Sequence, residues 1–162
     1  MPSDAPQRRP LRKIVVRIQV GKDRMAGSDD PLFLLLDGPG GREFRLALAH
    51  GKQLRRGAQD VFVLAGPGDP DTNVAHAELN DPNVPVLDLA GIRRVVVRKG
   101  LEPLPNVRGF GEMDDRLLIE KVEVELHPEG PDGPLRFERG GGFWLGLVCG
   151  LNLELGRIDA PA

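Results

Sequence analysis

The sequence has no tyrosine and one tryptophan among its 162 residues. Proteins that bind single-stranded nucleic acid stack the bases on several aromatic side chains, and this chain has few of them. Its net charge of −2 and its isoelectric point near 5.9 also leave it without a positive field. Because such a field is what attracts a phosphate backbone, we expect no nucleic-acid partner.

Cysteine is equally scarce, since Cys149 is the only one in the chain. A single thiol excludes an internal disulfide and any zinc site built on several cysteines. Leu147, Val148 and Leu151 lie close to it in the sequence. This apolar setting predicts a buried, unreactive thiol.

Long apolar runs are missing as well. No stretch reaches the roughly 18 consecutive apolar residues that a membrane-spanning helix requires. The first residues, MPSDAPQRRPLRK, carry charges with no apolar stretch behind them, which is not typical of a secretory signal. Together these features predict a cytoplasmic location.

Few residues suited to catalysis are present. None of the hydroxyl or thiol nucleophiles lies in the Gly-x-Ser-x-Gly pattern of hydrolases; they are Ser3, Ser28, Thr72 and Cys149. The three histidines fall in separate predicted loops and lack the spacing of metal ligands; they are His50, His76 and His127. The glycine clusters GPGG and GGG lack the Lys-Ser/Thr of a phosphate loop, so we interpret them as turns. The sequence therefore predicts no enzyme and no cofactor.

Glycine and proline are abundant instead, with 21 and 15 copies, and they favour many short strands over long helices. Residues 32–36 form a continuous apolar run, and a Gly-Pro turn follows. Phe44, Leu46 and Leu48 then alternate with Glu43, Arg45 and Ala47. This pattern predicts a β-hairpin in which the first strand is buried on both faces.

Further strands are predicted along the rest of the chain, at residues 14–20, 60–65, 87–98, 117–126 and 135–138, with a last apolar segment at 143–155. Long loops at residues 66–85 and 99–115 separate some of them. Such strands between Gly/Pro turns are typical of an antiparallel sandwich or barrel. We predict one domain over residues 11–158, with a flexible N-terminal tail at 1–10 and a C-terminal tail at 159–162.

Four segments resemble the PLAT (lipoxygenase-homology) domain family in the right order. AGSDDPLFLLLDG, from residue 26, is similar to the family's Ala-Gly-Thr-Asp loop and the strand after it. RRGAQDVFVL, from residue 55, resembles its Arg-Gly-x-x-Asp-x-Phe segment. LLIEKVEVEL and LRFERGGGFWL, from residues 117 and 135, resemble its later strands, although Leu117 stands where the family usually has Trp. The resemblance implies an all-β, PLAT-like antiparallel β-sandwich of about eight strands.

The resemblance also implies an interaction module, because PLAT domains usually bind membranes or partner proteins and do not catalyse reactions. Some members hold calcium with a carboxylate before the Ala-Gly pair and another after a later strand. Here Met25 and Lys99 occupy these positions and supply no oxygen ligand, so we predict no metal site. Asp69, Asp71 and Asn73 begin like a calcium loop, but the pattern then fails, so they are weak candidates only.

Strands that run alternately up and down place loops 21–30, 49–57 and 99–115 at one end of the sandwich. Apolar residues there lie among charges of both signs, whereas the loops of the opposite end, 66–85 and 127–134, carry no Lys or Arg. We predict binding of a protein partner or a membrane surface through the first end, by Arg24, Met25, Arg56, Lys99, Leu104 and Phe110. The alternative is a structural subunit that packs through its apolar segment 143–155, with a homo-oligomer as one form of it.

Overall fold

The computed structural model of the chain describes residues 8–101, 116–147 and 149–158. These residues contain eight β-strands and one short 3₁₀ helix, Leu89–Gly91. The strands are β1 (Leu11–Val20), β2 (Leu32–Asp37), β3 (Arg42–Arg45), β4 (Gln59–Leu64), β5 (Arg94–Lys99), β6 (Leu117–Pro128), β7 (Leu135–Leu145) and β8 (Asn152–Ile158). All neighbouring strands pair in antiparallel fashion. The prediction of an all-β antiparallel sandwich of about eight strands is confirmed.

The strands follow the order β3-β2-β5-β8-β7-β6-β1-β4, and this order curls so that its two halves face each other. One half contains β3, β2 and β5, and the other contains β7, β6, β1 and β4. Strand β8 joins them, because residues 152–155 pair with β5 and residues 156–158 pair with β7.

Alternation of apolar and polar residues builds the core between the halves. On β1, Val16 and Ile18 are buried while Arg17 between them is exposed, because successive side chains of a strand point to opposite faces. Leu153 and Leu155 of β8 are buried in the same cluster. Segment 143–155 therefore contributes much of its apolar surface to the chain's own core, which weakens the alternative of packing on another chain.

Two predicted elements differ from the structure. Strand β2 was expected to be buried on both faces, but Phe33 and Leu35 are only half-buried on its outer face. The guanidinium of Arg98 lies 4.5 Å from the centre of the Phe33 ring and covers part of it. The strand expected at residues 87–98 begins only at Arg94, because the 3₁₀ helix capped by Asp88 precedes it.

The glycine run at residues 140–142 is not a turn, contrary to the prediction, because β7 continues through it. The register with β6 shifts there, from Ile119 opposite Phe143 to Lys121 opposite Gly140, so the run forms a β-bulge. Gly141 and Gly142 have φ values of 113° and 78°. Residues with side chains seldom adopt this region, which explains the glycines.

The loop at residues 66–85, the seam loop, closes the open side between edge strands β3 and β4. Asn73 accepts a hydrogen bond from the backbone N of Val63 and donates one to the carbonyl of Val61, both at 2.8 Å. Asn80 in turn accepts a hydrogen bond from the backbone N of Arg45 at 2.8 Å. The seam loop therefore covers a side of the sandwich and is not confined to one end.

Basic side chains from the strands contact the seam loop. Arg42 donates hydrogen bonds to the carbonyls of Leu79 (2.7 Å) and Val84 (2.9 Å). Lys13 of β1 lies 3.6 Å from a carboxylate oxygen of Asp71. The loops themselves carry no Lys or Arg, as the sequence shows, but the surface that they form is not uniformly acidic.

Candidate functional site

Several loops meet at the end of the sandwich where β1 ends, and we call this the Met25 end. It contains residues 21–31, 54–57, 99–101 and 116–118. Backbone hydrogen bonds from N to O join these segments: Gly57 to Gly21 (2.9 Å), Ser28 to Leu54 (3.1 Å), Leu118 to Ala26 (2.9 Å) and Gly100 to Pro31 (2.7 Å). The loops are thus fixed to one another, as a rigid binding surface requires.

Small residues allow this close packing. Ala26 is fully buried. A Cβ atom at Gly27 would lie 2.7 Å from the carbonyl oxygen of Leu54, which is too close for any side chain. The Ala-Gly pair therefore brings the first loop against the loop before β4.

Met25 lies at the tip of this first loop and is 73% exposed. Its φ of 68° is in the left-handed region, which a long side chain seldom occupies. The turn is closed by a hydrogen bond from the backbone N of Ala26 to the carbonyl of Asp23 at 3.0 Å. An unfavourable backbone conformation that presents an apolar side chain to solvent is typical of a functional position.

Two more apolar side chains are exposed at the same end, Leu101 at 43% and Leu147 at 52%. Leu147 belongs to the turn between β7 and β8, in which Gly146 and Gly150 exchange backbone hydrogen bonds at 2.9 Å. Leu147 is not among the binding residues predicted from the sequence, because residues 143–155 resemble one continuous apolar segment. The flanking glycines were the signal that could have revealed the turn.

Positive charge predominates among the described, exposed residues around these tips. The basic ones are Lys22, Arg24, Arg55, Arg56 and Arg116, and the acidic ones on the same loops are Asp23 and Asp29. The guanidinium of Arg116 lies 5.0 Å from the centre of the Trp144 ring, a cation–π contact that holds it beside the tip of the sandwich.

Three of the predicted binding residues, Arg24, Met25 and Arg56, are exposed together at the Met25 end. Lys99 is not, and its prediction as a surface residue is wrong. Its side chain is 1% exposed, and its Nζ donates a hydrogen bond to Asp30. Burial of an ammonium is tolerated here because a carboxylate lies against it. Leu104 and Phe110 lie outside the described residues.

The weak metal candidates are occupied in structural contacts. Asp69 accepts a hydrogen bond from the backbone N of Asp71 at 2.8 Å, and Asn73 bonds to β4 as described above. Among the residues that the structure describes, no three or more His, Cys, Asp or Glu side chains group together as a metal site. The Lys99 ammonium already provides a cation for the Asp30 carboxylate.

Cys149 is exposed, so the prediction of a buried thiol is wrong. The sequence neighbours Leu147 and Leu151 are apolar, but the residue lies in the tight β7–β8 turn, where the chain reverses at the surface. No helix in the described parts of the chain is long and apolar enough to cross a membrane.

Comparison with known proteins gives a likeness of fold. No protein-family model and no curated protein sequence matches the chain. Among solved structures, alpha-toxin from an avian strain of Clostridium perfringens matches with a TM-score of 0.57 and 17% identity, over 96% of this chain and 34% of that chain. The alpha toxin of Clostridium absonum matches with a TM-score of 0.55 and 17% identity, over the same shares.

Coral 8R-lipoxygenase, a protein described as activated by calcium through a C2-like domain, matches with a TM-score of 0.54 and 14% identity. The match covers 91% of this chain and 17% of that chain. This chain thus spans about a third of the toxins and a smaller part of the lipoxygenase. It shares the C2-like, PLAT-like fold of these proteins, and at such identities the likeness establishes the fold alone.

Proposed function

We propose that the chain is a non-catalytic interaction module that binds an anionic membrane surface through the Met25 end. One observation carries the proposal: exposed apolar side chains project from loops that backbone hydrogen bonds hold in place. They are Met25, Leu101 and Leu147. Exposed basic residues on the same described loops as the apolar tips match the chemistry of a bilayer interface, where headgroups are charged and acyl chains lie beneath.

Electrostatic attraction and apolar burial act together in this arrangement. The five exposed basic and two exposed acidic residues of the described loops give a local surplus of positive charge. Each basic residue close to an anionic leaflet contributes about 1 kcal/mol. Partial burial of three apolar side chains adds a further contribution of about 25 cal/mol for each Å² removed from water.

The fold likeness supports a binding role of this kind, since PLAT domains attach to membranes or partner proteins. The coral lipoxygenase uses calcium with its C2-like domain. In this chain Lys99 and Asp30 form an internal ion pair beside the same loops. We therefore propose that membrane binding here requires no calcium.

Co-sedimentation with lipid vesicles tests the proposal. The unmodified protein should sediment with vesicles that contain phosphatidylserine, in the presence of a chelator, and much less with pure phosphatidylcholine. Met25→Ser and the double variant Arg24→Gln/Arg56→Gln should each reduce the bound fraction. Added salt should weaken binding as well, because it screens the exposed charges.

A matched control comes from the seam loop, where Leu79 is 68% exposed and its carbonyl accepts a hydrogen bond from Arg42 at the start of β3. Leu79→Ser should leave vesicle binding unchanged. Equal losses for Leu79→Ser and Met25→Ser would contradict the proposal. If no vesicle is bound, and the Met25 variants instead weaken a complex with a protein from the same cell, the partner is a protein.

A further inference from the structure

A cleft opens where β8 changes its partner strand. The last residue of β8 that pairs with β5 is Leu155, opposite Val95, and from Gly156 onward the strand pairs with β7. The chain before β5 therefore diverges from β8, and the 3₁₀ helix lies beside the gap. A cavity of about 480 Å³ lies between this part of the chain and strands β7 and β8, and we call it the fork cleft.

Apolar side chains form part of the walls of the fork cleft. Leu89 of the 3₁₀ helix, Phe137 of β7 and Leu155 of β8 line it, and each exposes only a small part of its surface there. Ile92 and Leu135 add half-buried surface. The cleft therefore has room for the apolar body of a small molecule, and its volume is within the usual range of ligand sites, about 300–1,000 Å³.

Three arginines from separate parts of the chain line the same cleft: Arg9 before β1, Arg93 before β5 and Arg157 on β8. Among the described lining residues Glu154 is the one acid. A surplus of positive charge thus gathers in a chain whose net charge is −2. Guanidinium groups bind carboxylates and phosphates with two parallel hydrogen bonds, which makes them suited to oxyanions.

Arg9 is held in place at its backbone but has weak side-chain partners. Its N donates a hydrogen bond to an Asp88 carboxylate oxygen at 3.0 Å, and its carbonyl accepts one from Leu89 at 2.9 Å. Its Nη2 lies 3.7 Å from Asp132 in a solvent-exposed pair. Its Nε is buried and has no hydrogen-bond partner among the described residues, an arrangement that costs free energy. An oxyanion in the cleft would give this guanidinium a partner after a change of rotamer.

We propose that the fork cleft binds an amphipathic anion, a molecule with a carboxylate or phosphate head and a short apolar body. The arginines hold the head, and the apolar part of the wall takes the body. The cleft lies at the opposite end of the sandwich from Met25, because β1, β5 and β7 begin there and β8 ends there. The proposal is thus independent of membrane binding by the Met25 end.

Calorimetric titration tests this proposal with sodium decanoate below its micelle concentration and with decanol as the uncharged counterpart. The expected result is saturable binding of decanoate that is at least about tenfold tighter than that of decanol. Arg9→Gln and Arg157→Gln should each weaken decanoate binding by about tenfold. Arg136→Gln is the matched control, because Arg136 is exposed on β7 and does not line the cleft.

Two further probes distinguish the sources of the anion. Decyl phosphate that binds more tightly than decanoate would assign the head as a phosphate, and phosphatidic acid vesicles that compete with it would assign a lipid source. Both results support the cleft. Inorganic phosphate that binds as tightly as either probe would show that the apolar walls contribute nothing, and this result would overturn the proposal.

A variant that keeps the arginines tests the cleft independently, in case the arginine variants do not fold. At Gly156, which lines the cleft, a Cβ atom would come no closer than 3.9 Å to another atom. Gly156→Val should therefore fold, narrow the cleft and weaken decanoate binding. In the unmodified protein the backbone amide signals of Ala90 and Gly156 should shift with decanoate. Unshifted signals, or arginine variants that fold and bind as tightly as the original protein, would also overturn the proposal.

Discussion

Lys99 and Asp30 form an ion pair inside the sandwich, and their side chains are 1% and 5% exposed. The Nζ of Lys99 also lies 3.4 Å from the carbonyl oxygen of Gly100. The backbone N of Asp30 donates a hydrogen bond to the hydroxyl of Ser28 at 3.1 Å. The pair therefore connects the end of β5 to the loop before β2. It fixes the base of the Met25 end without contributing charge to the surface.

Loss of one partner from this pair should be costly. Lys99→Met leaves the Asp30 carboxylate buried without its cation, so we expect the free energy of unfolding to fall by about 3–5 kcal/mol. Urea denaturation measures the change. The double variant Lys99→Met/Asp30→Asn should recover part of the loss, because it removes the isolated charge. A single variant that loses less than about 1 kcal/mol would show that the pair is solvated.

Met25→Gly should separate stability from binding. Glycine adopts a φ of 68° without the steric cost of about 1–2 kcal/mol that a side chain incurs there. Part of this gain is offset by the greater freedom of glycine in the unfolded chain. We expect thermal stability to stay the same or rise slightly, while vesicle binding falls. A drop in the melting temperature would show that the methionine side chain packs on the protein.

Calcium at millimolar concentration should leave the melting temperature unchanged. A ligand that binds only the folded state raises stability, and calcium requires several oxygen ligands, some of them anionic. Lys99 occupies one candidate place. Asp69 accepts a hydrogen bond from the backbone N of Asp71, and Asn73 bonds to β4. A rise of several degrees that a chelator reverses would contradict this prediction.

Asn73→Ala should weaken the contact between the seam loop and edge strand β4. The amide of Asn73 satisfies the backbone N of Val63 and the carbonyl of Val61 on edge strand β4. Loss of a buried or half-buried hydrogen-bond partner costs about 1–3 kcal/mol. Hydrogen exchange at Val63 should accelerate beyond the change in global stability. Asp71→Asn is the control, since the Asp71 carboxylate lies at the surface, 3.6 Å from the Nζ of Lys13.

Acid should weaken the contacts of Glu125. Burial acts to raise the pKa of its carboxyl, but hydrogen bonds from Arg17 and His127 outweigh it and hold the pKa below its ordinary value of 4.5. Because the unfolded chain takes up the proton first, this contribution to stability is present above about pH 4.5 and is lost as the pH falls below it.

Glu125→Gln should make the free energy of unfolding depend less steeply on pH in this range. Urea denaturation at pH values between 6 and 3 measures this dependence, since these limits lie about one and a half units on either side of the ordinary carboxyl pKa. An unchanged slope in the variant would assign the acid sensitivity to other carboxylates. Asp88 is the first alternative, because hydrogen bonds from the backbone N of Arg9 and of Ala90 lower its pKa as well.

The sequence by itself determined the class of fold. Alternation of apolar and polar residues on β1 and β6 identifies strands with one buried face, since this period is local and follows from the geometry of an extended chain. Turn residues mark where most strands end. The order of the strands then placed Arg24, Met25 and Arg56 at one end without knowledge of any contact, because antiparallel neighbours reverse direction at each turn.

Only the tertiary structure decided which of these residues reach the surface and which strands enclose the fork cleft. Lys99 is buried because Asp30, 69 positions away, lies against it, and no local pattern encodes such a partner. The seam loop lies along β3 and β4 because Asn80 bonds to Arg45, 35 positions away. The fork cleft exists because β8 leaves β5 for β7 at Gly156, and the choice of a strand's partner depends on contacts between segments that are distant in the chain.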